Sequence, residues 1–246
     1  MWGVKFLDLK GLKANIREDV WRILEEKNVT RFPRPVHGRI PNFLGAEFVA
    51  EKVKSLPEFI RAEVVFCNPD SPQRPVRETV LKSGKKLIMS TPRLRQGFLL
   101  LEPQKIPEKY YGKASTIRGS YKYGINLSPW DLPPLDLKVT GSVAVTKQGI
   151  RLGKGEGYSE IEAGILGELG KMQRETPVIT TVHELQIVDK EIPKEPFDLL
   201  VDIIATPKQI IRTGVEKGDP KIIWSMLDEK KLEEITLLKE LKNRLK

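Results

Sequence analysis

At 246 residues the chain is long enough to bury a full core as one large α/β domain, or as a domain with a small appendage. Its single cysteine, Cys67, excludes an intramolecular disulfide, and one Cys with two His excludes a zinc cluster. Lys and Arg number 42 against 33 Asp and Glu, so partners or substrates carrying negative charge are favoured. With no secretory leader and no apolar run near 18 residues, a soluble, cytoplasmic protein without a membrane partner is expected.

Along the chain, Leu12, Ile16, Val20, Ile23 and Leu24 recur at helical spacing and predict an amphipathic helix over 10–27 that carries Lys13 and Arg17 one turn apart. Prolines 33, 35 and 41 make 31–41 a long loop, because each removes a donor and restricts its predecessor. A helix over 46–55 leads to a strand over 62–67, where apolar flanks make Cys67 a buried thiol. A turn at 68–72, a helix to about 82 capped by Gly84, and a strand over 86–90 complete a βαβ pattern. The cations from Arg74 to Arg95 suit either a phosphate-tracking stripe or a solvated helix face. After a Pro-rich stretch over 102–111, Tyr121 and Tyr123 read as alternating strand residues, able to pack a sheet face or stack on a flat ligand. Trp130 either lines a pocket or anchors its Pro-rich loop. Strands are expected over 137–145, 178–182 and 199–205, and an amphipathic helix from 228 onward, packed on the domain or on a second copy. His183 stands at a strand end, where a general acid or base could sit, and His37 lies in the first loop. Alternating strands and helices argue for parallel βαβ units.

The densest motif is Gly149-Ile150-Arg151-Leu152-Gly153-Lys154-Gly155-Glu156-Gly157-Tyr158. Glycine lets backbone N–H groups approach a ligand, and successive amides in a tight turn make an anion-binding concavity. Between an apolar run and a helical pattern, this is a candidate phosphate loop, although its spacing is neither that of a Walker A loop nor that of a Rossmann fingerprint.

With Lys13, Arg17, this loop, the turn Gly84-Lys85 and the segment Phe197-Asp198-Leu199-Leu200-Val201-Asp202-Ile203-Ile204-Ala205-Thr206 in hand, the chain resembles the 5-formyltetrahydrofolate cyclo-ligase (methenyltetrahydrofolate synthetase) family, in its divergent cyclo-ligase-like branch. The resemblance runs from Lys13 to about Arg212, and residues 151–158 match the family pattern Arg-Leu-Gly-x-Gly-x-Gly-Tyr-Tyr-Asp up to its first tyrosine. It implies a doubly wound, mostly parallel sheet with helices on both faces (NagB/RpiA/CoA transferase-like) over 1–215, leaving 216–246 as a C-terminal helical extension. It implies a reaction in which Mg-ATP phosphorylates the formyl oxygen of 5-formyltetrahydrofolate before the ring closes. Lys13, Arg17, Arg151, Gly153, Lys154, Gly155, Gly157 and Tyr158 would bind ATP, with Arg151 and Tyr158 at the reacting centre. Glu160 and Asp198 would hold magnesium, and Asp70 and Trp130 would contact a reduced folate or related pterin. The chain departs from the pattern at Ser159 and Glu160, where the family carries Tyr-Asp, and at Glu156, which brings negative charge toward a triphosphate. The alternatives are a nucleotide-binding homologue without the standard reaction and a basic nucleic-acid-binding protein. Either a monomer or a homodimer fits.

Overall fold

Strands that are apolar at nearly every position turn successive side chains to opposite faces and so build two core faces from one sheet. The computed structural model describes the backbone of residues 2–244 and the side chains of 9–244. Its elements run α1 (Trp2–Glu26), α2 (Ala46–Lys54), α3 (Pro57–Arg61), β1 (Val64–Cys67), α4 (Arg74–Lys82), β2 (Lys86–Ser90), β3 (Phe98–Leu101), α5 (Tyr111–Ala114), α6 (Ile117–Tyr123), β4 (Ile125–Leu127), β5 (Leu137–Gly141), β6 (Ala144–Val145), β7 (Arg151–Leu152), α7 (Tyr158–Glu168), β8 (Val178–Thr181), β9 (Ile203–Ala205), β10 (Ile210–Arg212), α8 (Glu229–Glu234) and α9 (Thr236–Arg244). Val65, Cys67, Leu87, Met89, Leu99, Leu137, Val139, Ile179 and Ile203 pack with α2 and α4 on one face. Phe66, Ile88, Phe98, Val178 and Ile204 pack with α7 and α9 on the other. A third cluster joins Ile16, Val20, Trp21 and Leu24 of α1 to Val143, Ala144 and Leu152 of the small β6–β7 hairpin. Asn28, left-handed at φ 52°, follows the end of α1.

The main sheet has the order β10-β9-β8-β5-β1-β2-β3-β4. Strands β2, β1, β5, β8 and β9 pair in parallel, whereas β3 is antiparallel to β2, β4 to β3, and β10 to β9. The expected NagB/RpiA/CoA transferase-like doubly wound sheet is therefore corrected: the sheet is mixed. The reason lies in the connections. Residues 91–97 and 206–209 are too few for the dozen or more residues that a parallel crossover needs, so β3 and β10 fold straight back. The first of these turns is made with Arg93 and Leu94 left-handed at φ 57° and 54°. Further corrections concern single elements. Tyr121 and Tyr123 lie on α6, and Tyr123 stacks on Tyr110 with ring centroids 5.6 Å apart. The expected strand over 137–145 breaks after Gly141, and the one over 199–205 pairs only from Ile203.

Past β10, Ile222, Ile235, Leu237, Leu238 and Leu241 are buried in the core on the α7 side of the sheet, in one cluster with Phe98, Ile161 and Ile165. Gly164 and Gly167 of α7 make room for the segment that precedes α8, and a Cβ at Gly167 would stand 1.8 Å from the Pro220 carbonyl oxygen. Gly167→Ala is therefore expected to cost about 1–3 kcal/mol by overpacking, with the lower melting temperature accompanied by faster proteolysis within 216–226. Among the described residues no helix is long and apolar enough to cross a membrane.

Candidate functional site

The β6–β7 hairpin lifts the glycine loop over the carboxyl ends of β1 and β2, which is where open α/β sheets bind ligands. A cleft of about 380 Å³ opens there, walled by Asn68–Ser71, Ser90–Arg93, Arg151, Gly153, Lys154 and the start of α7. Gly155 (φ 100°) and Gly157 (φ 74°) hold left-handed backbone that side chains avoid, and Gly157 caps α7. The free amides of the first turn of α7 thus point their positive dipole end at the cleft.

Arg151 projects from β7 with its side chain 1% exposed. One guanidinium nitrogen meets the Glu160 carboxylate and another donates to the Gly141 carbonyl at 3.3 Å, while its buried Nε is left without a partner. Arg17 reaches the loop from α1, its Nε donating to the Gly153 carbonyl at 2.7 Å, and burial lowers its pKa. Lys13, one turn away, is held by Glu195 at 2.6 Å and Asp198 at 3.2 Å. Lys154 meets Glu156 at 3.2 Å, half-exposed at the rim.

Beneath the cleft floor lies a charged cluster. Lys138 on β5 is fully buried, with its ammonium 3.4 Å from Glu162 and 3.6 Å from the centre of the Phe66 ring. Burial pulls its pKa down to about 8 against the opposing pull of Glu162. The same Glu162 oxygen accepts from Asn68 Nδ2 at 2.7 Å, leaving Asn68 Oδ1 buried and unpartnered in the cleft wall. Arg77, fully buried on α4, donates to the carbonyls of Asn68, Asp70 (2.9 Å) and Ser115 (2.7 Å), and so fixes the loop after β1. Removal from water raises the Asp70 carboxyl above its ordinary range, with Lys154 pulling the other way.

Of the residues singled out from sequence, Asp70, Arg151, Gly153, Lys154, Gly157, Tyr158 and Glu160 line this cleft. Lys13, Arg17 and Asp198 stand behind the glycine loop. Trp130 does not join them: it packs on the α7 face with the Arg244 guanidinium 4.1 Å over its ring, in the manner of a loop anchor. His183 caps the short helical turn 184–186, its Nδ1 accepting from the Leu185 amide at 3.2 Å. His37 pairs with Glu18 at 2.6 Å on the surface. The cations from Arg74 to Arg95 do not form a stripe, since Arg77 is buried, Lys82 pairs with Glu78 and Lys85 donates to the Ile60 and Ala62 carbonyls. Sequence reasoning missed Lys138, Glu162, Asn68 and Glu234, and it read Arg77 and Arg93 only as members of the cation run 74–95. A Lys inside the apolar run 137–145 was the one signal available.

The model of the 5-formyltetrahydrofolate cyclo-ligase family matches residues 10–207, four fifths of the chain, with the glycine loop and both α1 cations inside the match. The chain belongs to this family. A human methenyltetrahydrofolate synthase domain-containing protein is 39% identical over 238 residues, covering 94% of this chain and 62% of the relative. Its counterpart from Danio rerio is 40% identical over 236 residues, covering 94% and 61%. The chain therefore spans about three fifths of the length of these relatives. The solved structure of an Aquifex aeolicus 5,10-methenyltetrahydrofolate synthetase superposes with a TM-score of 0.51 at 20% identity, covering 84% of this chain and 95% of that one. That likeness identifies the fold as the methenyltetrahydrofolate synthetase fold and overturns the NagB/RpiA/CoA transferase-like assignment.

Proposed function

We propose that the cleft binds ATP and a reduced folate and closes 5-formyltetrahydrofolate to 5,10-methenyltetrahydrofolate. In this reading the γ-phosphoryl group passes to the formyl oxygen and ADP departs. The N10 lone pair then attacks the activated formyl carbon, a C–N bond forms, N10 gives up its proton, and phosphate leaves with the formyl oxygen. Catalysis of such a transfer is mostly positioning and charge stabilisation. The observation that carries the reading is a buried arginine with a free Nε beside left-handed glycines at the N-terminus of α7, within the family-matched segment. Arg151, Arg17, Lys154 and the amides of Gly153, Gly155 and Gly157 would hold the triphosphate, with Lys13 behind them. Tyr158 would line the reacting centre, and Asp70 would contact the pterin.

Glu160 and Asp198 do not fit a magnesium site of the protein's own. Glu160 is engaged by Arg151 and Asp198 by Lys13, and among the described residues no three His, Cys, Asp or Glu side chains gather. The ion would enter as the counterion of the nucleotide, held by phosphate oxygens.

A second reading, nucleotide binding without this reaction, is favoured by one observation: Glu156 and Glu160 pair with Lys154 and Arg151, two of the cations a triphosphate would use. Incubation with Mg-ATP and 5-formyltetrahydrofolate separates the two readings. Equal amounts of methenyltetrahydrofolate and ADP support the cyclo-ligase, whereas ATP binding with neither product supports the second.

A further inference from the structure

The family match ends at residue 207, yet a later segment contacts two residues of the cleft lining. The Tyr158 hydroxyl donates to Glu234 at 3.0 Å, the other Glu234 oxygen lies 3.5 Å from an Arg93 Nη, and the Lys231 ammonium sits 3.6 Å from the centre of the Tyr158 ring. Tyr158 comes from the start of α7 and Arg93 from the turn after β2, and both line the cleft. One carboxylate on α8 therefore bridges two walls of the cleft, the start of α7 and the turn after β2, which also pack on each other through Leu94. The bridge has firm footing, because Ile235, the next residue, is fully buried in the α7-side core. On the other side, Arg93 is held in left-handed backbone by the buried Leu94 beside it.

We infer that α8 is a specificity strap of the cleft, in which Glu234 is the positioning residue and Tyr158 the platform it fixes. Lys231 covers one face of the ring and Glu234 holds its hydroxyl, so the side chain cannot swing about its Cα–Cβ bond without losing both contacts. A fixed aromatic surface suits a flat heteroaromatic acceptor, whereas the proposed triphosphate contacts are the cations and backbone amides of 151–157. The inference rests on the proposed function for the identity of that acceptor, but the strap itself is a property of the unliganded chain.

The test compares Glu234→Ala, Glu234→Gln, Tyr158→Phe and the double variant Tyr158→Phe/Glu234→Ala, with Glu233→Gln as an exposed control on the same helix. Loss of a hydrogen bond to a charged group predicts that Glu234→Ala raises KM for 5-formyltetrahydrofolate about tenfold, with kcat within about threefold and the ATP Kd within about twofold of wild type. Glu234→Gln, which keeps an acceptor for the tyrosine hydroxyl, should recover most of the loss, and the double variant should be no worse than the more affected single variant. An unchanged KM, an equal effect from Glu233→Gln, or multiplying effects in the double variant would overturn the strap. Should wild type turn over no 5-formyltetrahydrofolate, the proposed function fails, and hydrogen exchange of the unliganded chain judges the strap alone. Amides 158–160 should then exchange about fivefold or more faster in Glu234→Ala than in wild type or Glu233→Gln, and equal rates would overturn it.

Discussion

Replacing Arg151 by alanine is expected to weaken ATP binding by about ten- to a hundredfold and to lower turnover with 5-formyltetrahydrofolate at least as much, while the domain stays folded. The size follows from the loss of one charge-assisted hydrogen bond to phosphate, worth about 1.5–3 kcal/mol. The guanidinium is nearly sealed from water, so no neighbouring solvent dipole can stand in for it. Folding should survive because the partner left behind, Glu160, is 17% exposed and sits in the first turn of α7, where the helix dipole favours a carboxylate. Arg151→Lys keeps a charge but forfeits the fork that reaches Glu160 and Gly141 together, and should recover less than half of the lost binding free energy. Titration calorimetry with ATP and a thermal melt by circular dichroism check both halves of the expectation. Unchanged nucleotide affinity in Arg151→Ala would remove the glycine loop from the proposed mechanism.

The parts of the molecule legible in the sequence are those with a local signature. The continuous apolar runs of β1 and β2, the helical repeat of Ile16, Val20 and Leu24, and the glycines around Arg151 each declare themselves within a few residues. The mixed sheet did not, because β3 and β4 are short and Gly97 and Gly124 beside them resemble loop residues. What separates a mixed sheet from a doubly wound one is the length of two connections, not the composition of any strand. The site was legible as a set of cations but not as a set of pairs. Lys13, Arg17, Arg151 and Lys154 were all found, yet three of the four are engaged by carboxylates, and Arg17 by a backbone carbonyl. Trp130 and His183 attracted attention as chemically capable types, and the structure uses one as an anchor and the other as a helix cap. Arg77 reads as one cation in a basic helix, and only the burial of α4 against the loop after β1 turns it into a clamp on Asn68 and Asp70. Contacts across 24 or 94 residues, such as those of Glu162 with Lys138 and Asn68, leave no trace in the spacing of a single chain.

Lys138→Met should destabilise the protein by about 3–5 kcal/mol near neutral pH, because it leaves the Glu162 carboxylate buried with Asn68 as its remaining partner. The ammonium is not comfortable in wild type either, since burial lowers its pKa from an ordinary 10.5 to about 8. Between those values the unfolded chain carries a proton that the folded chain has released. Unfolding then takes up a proton, so raising the pH from about 8 to 10.5 disfavours it, and this residue's contribution to stability grows across that window. Lys138→Met removes the titration, and its urea midpoint should lack that rise. The pH profile therefore distinguishes a lost ion pair from a mere change of shape, which would lower the midpoint equally at every pH. Glu162→Gln should be milder than Lys138→Met, because the stranded amine can shed its charge while the amide still meets Asn68. The two variants also differ at the cleft. Glu162 holds the Asn68 side chain whose Oδ1 is unpartnered in the cleft wall, so Lys138→Met, by freeing Glu162 to turn, should disturb ligand binding through Asn68 as well as stability. A Lys138→Met protein as stable as wild type, with the same pH profile, would mean that water reaches Glu162 and that the pair is not sealed.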